Sequence, residues 1–292
     1  STLFLEVAGR CNERCVHCYA DSAPEVRDAL DVDTCVRVIR EGATLGFERL
    51  QLTGGDPLLC PFLPDLTREA RSAGFGSIEV YTNGLALSDD RLASLAEHGA
   101  SFAFSFYSHD AGVHDAITRT PGSHRRTSDA IARAVKRGLH TRVSIILMEA
   151  NGQHLEATTA YLVDLGVPAE SIGHDRVRGV GRGAGALHDL RRAPQPVPPV
   201  EETRGNHSGA ESSCETPRWP GKLCVAYTGA VYPCIFSRRT ELGHVAREPL
   251  ATILDRVRNR RATGIVDVDA TRDQLACFDC RLTALALGTV PA

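Results

Sequence analysis

The ten cysteines are the residues of this sequence whose type and spacing most directly imply chemistry. They fall into a front group, Cys11, Cys15 and Cys18, and a rear group, Cys214, Cys224, Cys234, Cys277 and Cys280, with Cys35 and Cys60 isolated between them. Ser1 to Val7 is too short for the basic and apolar regions of a secretory signal, so a reducing cytoplasm is expected, where thiols serve metals or redox chemistry more often than disulfides. The front thiols sit in one polar loop, Gly9-Arg10-Cys11-Asn12-Glu13-Arg14-Cys15-Val16-His17-Cys18-Tyr19, and Gly9 and Asn12 argue against a helix there. Three thiolates can hold three irons of a [4Fe–4S] cube and leave the fourth iron open, and an open position implies a small-molecule ligand. From spacing alone the rear group, with its C-x2-C at Cys277 and Cys280, suits a structural zinc ribbon equally well.

The elements that must position these thiols follow from patterning. A chain of 292 residues has room for one large domain and a small appendage, and a hydrophobic content of 42% excludes a disordered chain. No apolar run reaches the roughly 18 residues a membrane span needs. The net charge of −3, with Lys136 and Lys222 the only lysines, leaves no basic cluster for nucleic acid. Short apolar runs at 3–7, 48–52, 77–81, 101–105, 141–148 and 172–177 alternate with amphipathic stretches at 33–45, 62–73, 88–98, 124–137 and 153–165. This predicts an α/β fold, a partial (β/α)6 barrel over 1–180, with the thiol loop at the C-terminal end of its first strand, where such folds build active sites. A Gly-, Arg- and Pro-rich stretch over 181–213 reads as a linker or mobile loop, and 214–292 as a small cysteine-rich domain in which a metal substitutes for a core. Cys35 and Cys60 read as packing, with Cys60 also a second candidate hydrogen donor.

The spacing in Cys11-x3-Cys15-x2-Cys18-Tyr19 resembles the signature of radical S-adenosylmethionine (SAM) enzymes. Thr53-Gly54-Gly55-Asp56-Pro57, Tyr81-Thr82-Asn83-Gly84 and the stretch from Ser105 to Asp110 follow in that family's order. The resemblance implies a catalytic [4Fe–4S] cluster on Cys11, Cys15 and Cys18. It also implies contacts to SAM from Tyr19, Gly54, Gly55, Asp56, Asn83 and Ser105, and from Arg126 or Arg142 to the SAM carboxylate. Gly54 and Gly55 would offer exposed backbone, and Asp56, a methylene shorter than the family's Glu, a backbone role rather than a side-chain one. Asn83 reads equally as a turn residue, and the pair His114-Asp115 as a capping or packing motif. The rear pattern resembles the SPASM and twitch relatives, which hold auxiliary clusters. Cys214, Cys234, Cys277 and Cys280 would close a second [4Fe–4S] cluster of the one-cluster twitch form, with Cys214 and Cys224 competing for one ligand position.

The family implies a 5′-deoxyadenosyl radical that removes hydrogen from an unactivated carbon, fed by an external one-electron reductant of flavodoxin or ferredoxin type. A spare Cys224 would suit hydrogen return in an epimerase of a small hydroxylated or aminosugar-containing natural product. The alternatives are a maturase that crosslinks or epimerises a ribosomally made peptide, against which no leader-binding domain precedes the barrel, and an alcohol dehydrogenase using the auxiliary cluster. A zinc-bearing or iron–sulfur electron-transfer or sensing module is the non-enzymatic reading. His109, Asp110, His174 and Asp175 at the barrel mouth would suit a polar or cationic substrate, or be merely solvated.

Overall fold

The structure, a computed structural model, describes residues 1–185 and 221–262. Six βα repeats open the chain, with strands β1 (Thr2–Ala8), β2 (Arg49–Gly54), β3 (Ser77–Thr82), β4 (Ala100–Ser105), β5 (Thr141–Leu147) and β6 (Ile172–Arg176). Between them run helices α1 (Val32–Thr44), α2 (Leu63–Ala73), α3 (Asp89–Glu97), α4 (Ala111–Thr118), α5 (Ser123–Lys136) and α6 (Leu155–Asp164). Adjacent strands are parallel, in the order β6-β5-β4-β3-β2-β1, which gives the expected partial barrel.

Alternation on β1 shows how the sheet separates core from site. Leu3, Leu5 and Val7 are 0–1% exposed in the main hydrophobic cluster with Ile39, Leu50 and Leu52, whereas Phe4 and Glu6 project from the opposite, inner face. Cys35 and Cys60 lie in that outer core, as packing residues. Helix starts are fixed by side-chain caps: Asp31 accepts from the Thr34 amide at 2.7 Å, and Ser88 from the Arg91 amide at 3.2 Å. Sequence patterning missed α4. Its eight residues are too few to display a helical period, and only the Asp110 side chain, accepting from the Val113 amide at 3.0 Å, marks its start.

The described part of the rear segment is built into the barrel's own sheet. Strand β7 (Lys222–Val225) pairs in parallel with β1, and β8 (Ala230–Tyr232) and β9 (Gly243–His244) continue antiparallel. Helix α7 (Leu250–Ala262) sends Leu250, Ile253 and Leu254 into the main core. Residues 181–183, expected to begin a linker, pack against the thiol loop. Cys214, Cys277 and Cys280, and the rest of the expected linker, lie outside the described residues. No helix among the described residues is long and apolar enough to cross a membrane.

Candidate active site

The C-terminal ends of the strands enclose a cavity of about 390 Å³, within the usual range for small-molecule sites. Cys11, Cys15 and Cys18 all line it, together with Tyr19, Thr53, Gly54, Gly55, Asn83, Ser105 and Arg142. The front motif and most of the expected contacts are therefore gathered at one place. Among the described residues no three His, Cys, Asp or Glu side chains are grouped tightly enough for one metal ion. Three thiols spread around a cavity fit a cube, where each takes its own iron. Burial pushes the Cys11 and Cys15 thiols up, with the negative charges of Asp56 and Glu13 adding to it, so loading a cluster must displace their protons.

Close backbone approach, rather than an exposed amide pair, is what requires glycine after β2. The Gly55 amide donates to Ala8 O at 2.7 Å and the Asp56 amide to Arg10 O at 2.9 Å. A Cβ on Gly55 would stand 2.0 Å from Arg10 O, backbone against backbone. Both amides are spent on holding the thiol loop. Asp56 corrects the sequence reading further, since it does not line the cavity and its side chain is fully engaged. Its carboxylate, 0% exposed, accepts from Leu58 N at 2.9 Å, Asn83 N at 3.0 Å and the Thr82 hydroxyl at 2.8 Å. Burial raises its pKa to about 6, against the pull of those donors. It ties the end of β2 to the end of β3 and so sets Asn83. Asn83 is both things the sequence allowed: its Oδ1 accepts from Leu85 N at 3.0 Å in a turn, while Nδ2 donates to Asn12 Oδ1 at 2.7 Å and faces Cys11 Sγ at 3.7 Å.

Of the two candidate arginines, Arg142 is in the cavity, paired with Glu79 at 2.7 and 2.8 Å and with Ser144 at 2.8 Å. Arg126 is exposed on α5 and folds back onto Gly122 O at 3.2 Å, so it does not reach the site. Cys224 does not line the cavity either. It is 0% exposed on β7, between Phe4 of β1 and Tyr232 of β8, with Glu6, Arg238 and Cys234 as charged or ionisable neighbours. Of the four residues expected at the mouth only Asp175 lines the cavity, and it is paired with Arg178 at 2.6 Å. The basic residues Arg142, Arg176, Arg178 and Lys222 outnumber the acidic Glu13 and Asp175 in the wall, which reverses the expected fit to a cation.

Several functional neighbours had no signal in the sequence. Ile235 and Phe236, which follow Cys234, complete the wall, and Phe236 packs edge-on against Tyr19 with centroids 5.5 Å apart. Cys234 is 2% exposed and its sulfur accepts from the Phe236 amide at 3.3 Å, a donor suited to a metal-bound thiolate. Glu13, 2% exposed, accepts from the Cys15 thiol at 3.3 Å and from the Ser123 hydroxyl, and burial raises its pKa to about 7. Ser123 in turn contacts His114 Nε2 at 3.3 Å, while His114 Nδ1 accepts from Tyr107 N at 3.4 Å. Asp115 accepts from Gly122 N at 2.5 Å and His124 N at 2.8 Å, capping α5. The pair His114-Asp115 therefore packs and caps.

This network sets a pH dependence. Burial, helped by His124, lowers the His114 pKa from 6.5 to about 3, since a second N–H would face the Tyr107 amide. A folded pKa below the unfolded one means that the stability His114 contributes is complete above about pH 6.5 and is lost as pH falls toward 3. His114→Gln can keep both hydrogen bonds without titrating. Urea unfolding of the apoprotein between pH 7 and 4 is expected to show a slope against pH that is smaller by about one proton in that variant. An unchanged slope would mean that His114 takes up its proton in the folded state.

The comparisons with known proteins agree with this geometry. The radical SAM superfamily profile matches residues 5–162, and an iron–sulfur cluster-binding domain of the SPASM type matches residues 214–281. The antilisterial bacteriocin subtilosin biosynthesis protein AlbA of Bacillus subtilis is 23% identical over 273 residues, 86% of this chain and 58% of AlbA. A GTP 3′,8-cyclase of Chlorobaculum tepidum is 36% identical over 96 residues, 32% of this chain and 29% of the cyclase. The crystal structure of Streptococcus suis SuiB bound to S-adenosylmethionine superposes with a TM-score of 0.63 at 15% identity, covering 87% of this chain and 65% of SuiB. The chain thus spans less than two thirds of the length of each of these proteins. SAM and two [4Fe–4S] clusters are the cofactors that go with this pair of domains. Since the superfamily match runs from within β1 into α6, over the same six strands whose ends gather the three front thiols in one cavity, this chain belongs to the radical SAM superfamily.

Proposed function

We propose that this protein modifies a side chain of a ribosomally made peptide by hydrogen abstraction. Cys11, Cys15 and Cys18 would hold the catalytic cluster, and Cys234 with Cys214, Cys277 and Cys280 the auxiliary one. Cluster and SAM together supply a 5′-deoxyadenosyl radical that takes a hydrogen atom from carbon. The chain's own residues seat SAM and shield the radical. Tyr19, Asn83, Ser105 and the glycines at the end of β2 line the cavity and would hold SAM, and Arg142, the one of the two candidate arginines that lines it, would be the cation nearest its carboxylate. His17, its ring 4.9 Å from that of Tyr107, is kept neutral by burial and by the charge of Arg182, with its pKa lowered to about 4.

The observation that carries the peptide reading is the likeness to a bacteriocin biosynthesis protein over 86% of the chain, through both domains, whereas the likeness to the GTP cyclase covers 32%. The aminosugar epimerase reading rested on a spare thiol near the substrate, and it lacks support from Cys224, which is 0% exposed and does not line the cavity.

The test is anaerobic turnover of the reconstituted protein with SAM, a strong reductant and candidate precursor peptides encoded near its gene, with GTP and aminosugars in parallel. A peptide that loses a hydrogen pair, or takes up solvent deuterium at one carbon, in step with 5′-deoxyadenosine formation is the expected result. Turnover of GTP or an aminosugar with every such peptide inert would overturn the reading.

A further inference from the structure

The segment just after β6 does more than connect. Arg182 alone gathers three carbonyls of the thiol loop: its amide donates to Cys18 O at 3.0 Å, its Nε to Cys15 O at 2.9 Å and its Nη2 to Ser22 O at 2.8 Å. The preceding Gly181 has φ +56°, and a Cβ there would lie 2.4 Å from Cys18 O and 2.7 Å from Tyr19 O. Only glycine lets the segment come this close. The front half of the loop is anchored separately, through Cys11 N to Ala23 O at 3.2 Å, Arg14 N to Thr118 O at 3.1 Å and Val16 N to Ile117 O at 3.0 Å. From Cys15 to Ser22 the loop has a turn of its own, Cys18 N to Cys15 O at 3.3 Å, and Arg182 is what ties that turn to the chain beyond it.

We infer that Arg182 is a positioning residue for the catalytic cluster: its guanidinium fork ties the Cys15 carbonyl to that of Ser22, beyond Cys18, and so holds the stretch carrying Cys15 and Cys18 in the shape that a cluster would need. A fork that bonds two carbonyls five or more residues apart in sequence holds both at fixed directions, which a flexible ammonium cannot do. Small errors in such a constellation are expensive in rate. Its charge lies against the Cys15 carbonyl at 2.9 Å, and a cation that close to a ligand favours the more negative, reduced state of a cluster. The inference rests on membership of the radical SAM superfamily and holds whichever substrate is correct.

The test compares the reconstituted full chain with Arg182→Gln and Arg182→Lys, using three readouts besides activity: iron loss to a chelator, the change that SAM causes in the EPR spectrum of the reduced cluster, and the cluster's midpoint potential. Charge-assisted hydrogen bonds of this kind predict iron loss about tenfold faster in Arg182→Gln. That variant should also show a weakened or heterogeneous SAM-induced EPR change and a lower potential. Arg182→Lys keeps the charge but not the fork, so it should recover the potential and only part of the retention. Wild-type iron loss and EPR response in Arg182→Gln would overturn the inference. So would loss of secondary structure in the apo variant, or a lowered melting temperature with EPR response and potential unchanged, since each assigns Arg182 to the barrel and not to the cluster.

Discussion

Replacing Cys11, Cys15 and Cys18 together by alanine is expected to halve the iron of the anaerobically reconstituted protein, from about eight atoms per chain to about four, each cube holding four. Formation of 5′-deoxyadenosine should fall to background. The remaining iron would be the auxiliary cluster; among the described residues, Phe236, two residues after Cys234, packs on Tyr19 beside Cys18. The triple variant should still fold. The loop keeps its backbone bonds to Ala23, Ile117 and Thr118, and alanine is only slightly smaller than the thiol it replaces. What disappears is the chemistry of the open site. With the three thiols gone, Gly9 to Tyr19 holds no other cysteine to supply the thiolates a cluster needs. Iron and sulfide analysis beside a circular dichroism melt checks both halves. About four irons falling to none, with zinc retained, would instead make the rear cysteines a structural zinc site and remove the auxiliary cluster from the mechanism.

The repeats and the thiol loop were legible because each leaves a local mark. Apolar runs of five to eight residues alternate with helical periods, and Cys11, Cys15 and Cys18 lie within a single loop of chain. What escaped was set by contacts far apart in sequence. Asp56 could be read as a backbone residue because its partners Thr82 and Asn83 come from the next strand. Arg126 had the right type and spacing, but only the path of α5 shows that its side chain points to solvent. Arg142 carries no motif and is placed in the cavity by its alternation on β5. Gly181 and Arg182 read as linker because low hydrophobicity and glycine mark loops, and the loop they bind begins more than 150 residues earlier. The addition of β7 to β1 was invisible for the same reason: a four-residue strand says nothing about which edge it will extend.

That added edge creates a strong dependence in the fold, a largely buried charge pair between β1 and the rear segment. Glu6 is 0% exposed on the inner face of β1, and Arg238, four residues after Cys234, bonds both of its carboxylate oxygens. The guanidinium also donates to Ile235 O at 2.7 Å and lies over the rings of Tyr19 and Tyr232 at 5.4 and 5.2 Å. Arg238→Met would leave the carboxylate with only the Tyr227 amide at 3.4 Å, an uncompensated buried charge that costs about 3–5 kcal/mol. Against a typical total of about 5–15 kcal/mol this is a large fraction. Glu6→Gln should cost less, because the Arg238 side chain, 18% exposed, can turn toward water. The double variant should recover most of the loss, since replacing both members of such a pair is often close to neutral. A double-mutant cycle from urea unfolding of the apoprotein reads the coupling directly. Arg238→Met within about 1 kcal/mol of wild type would sink the prediction, by showing that Glu6 finds water or a proton inside the barrel. If the pair is as strongly coupled as its burial demands, the same arginine holds Tyr19, the neighbour of Cys18, against the segment that carries Cys234. Arg238→Met should then loosen the Phe236 wall as well, so that 5′-deoxyadenosine formation falls in the single variant and returns only in part in the double one, which restores charge balance without the cation over Tyr19.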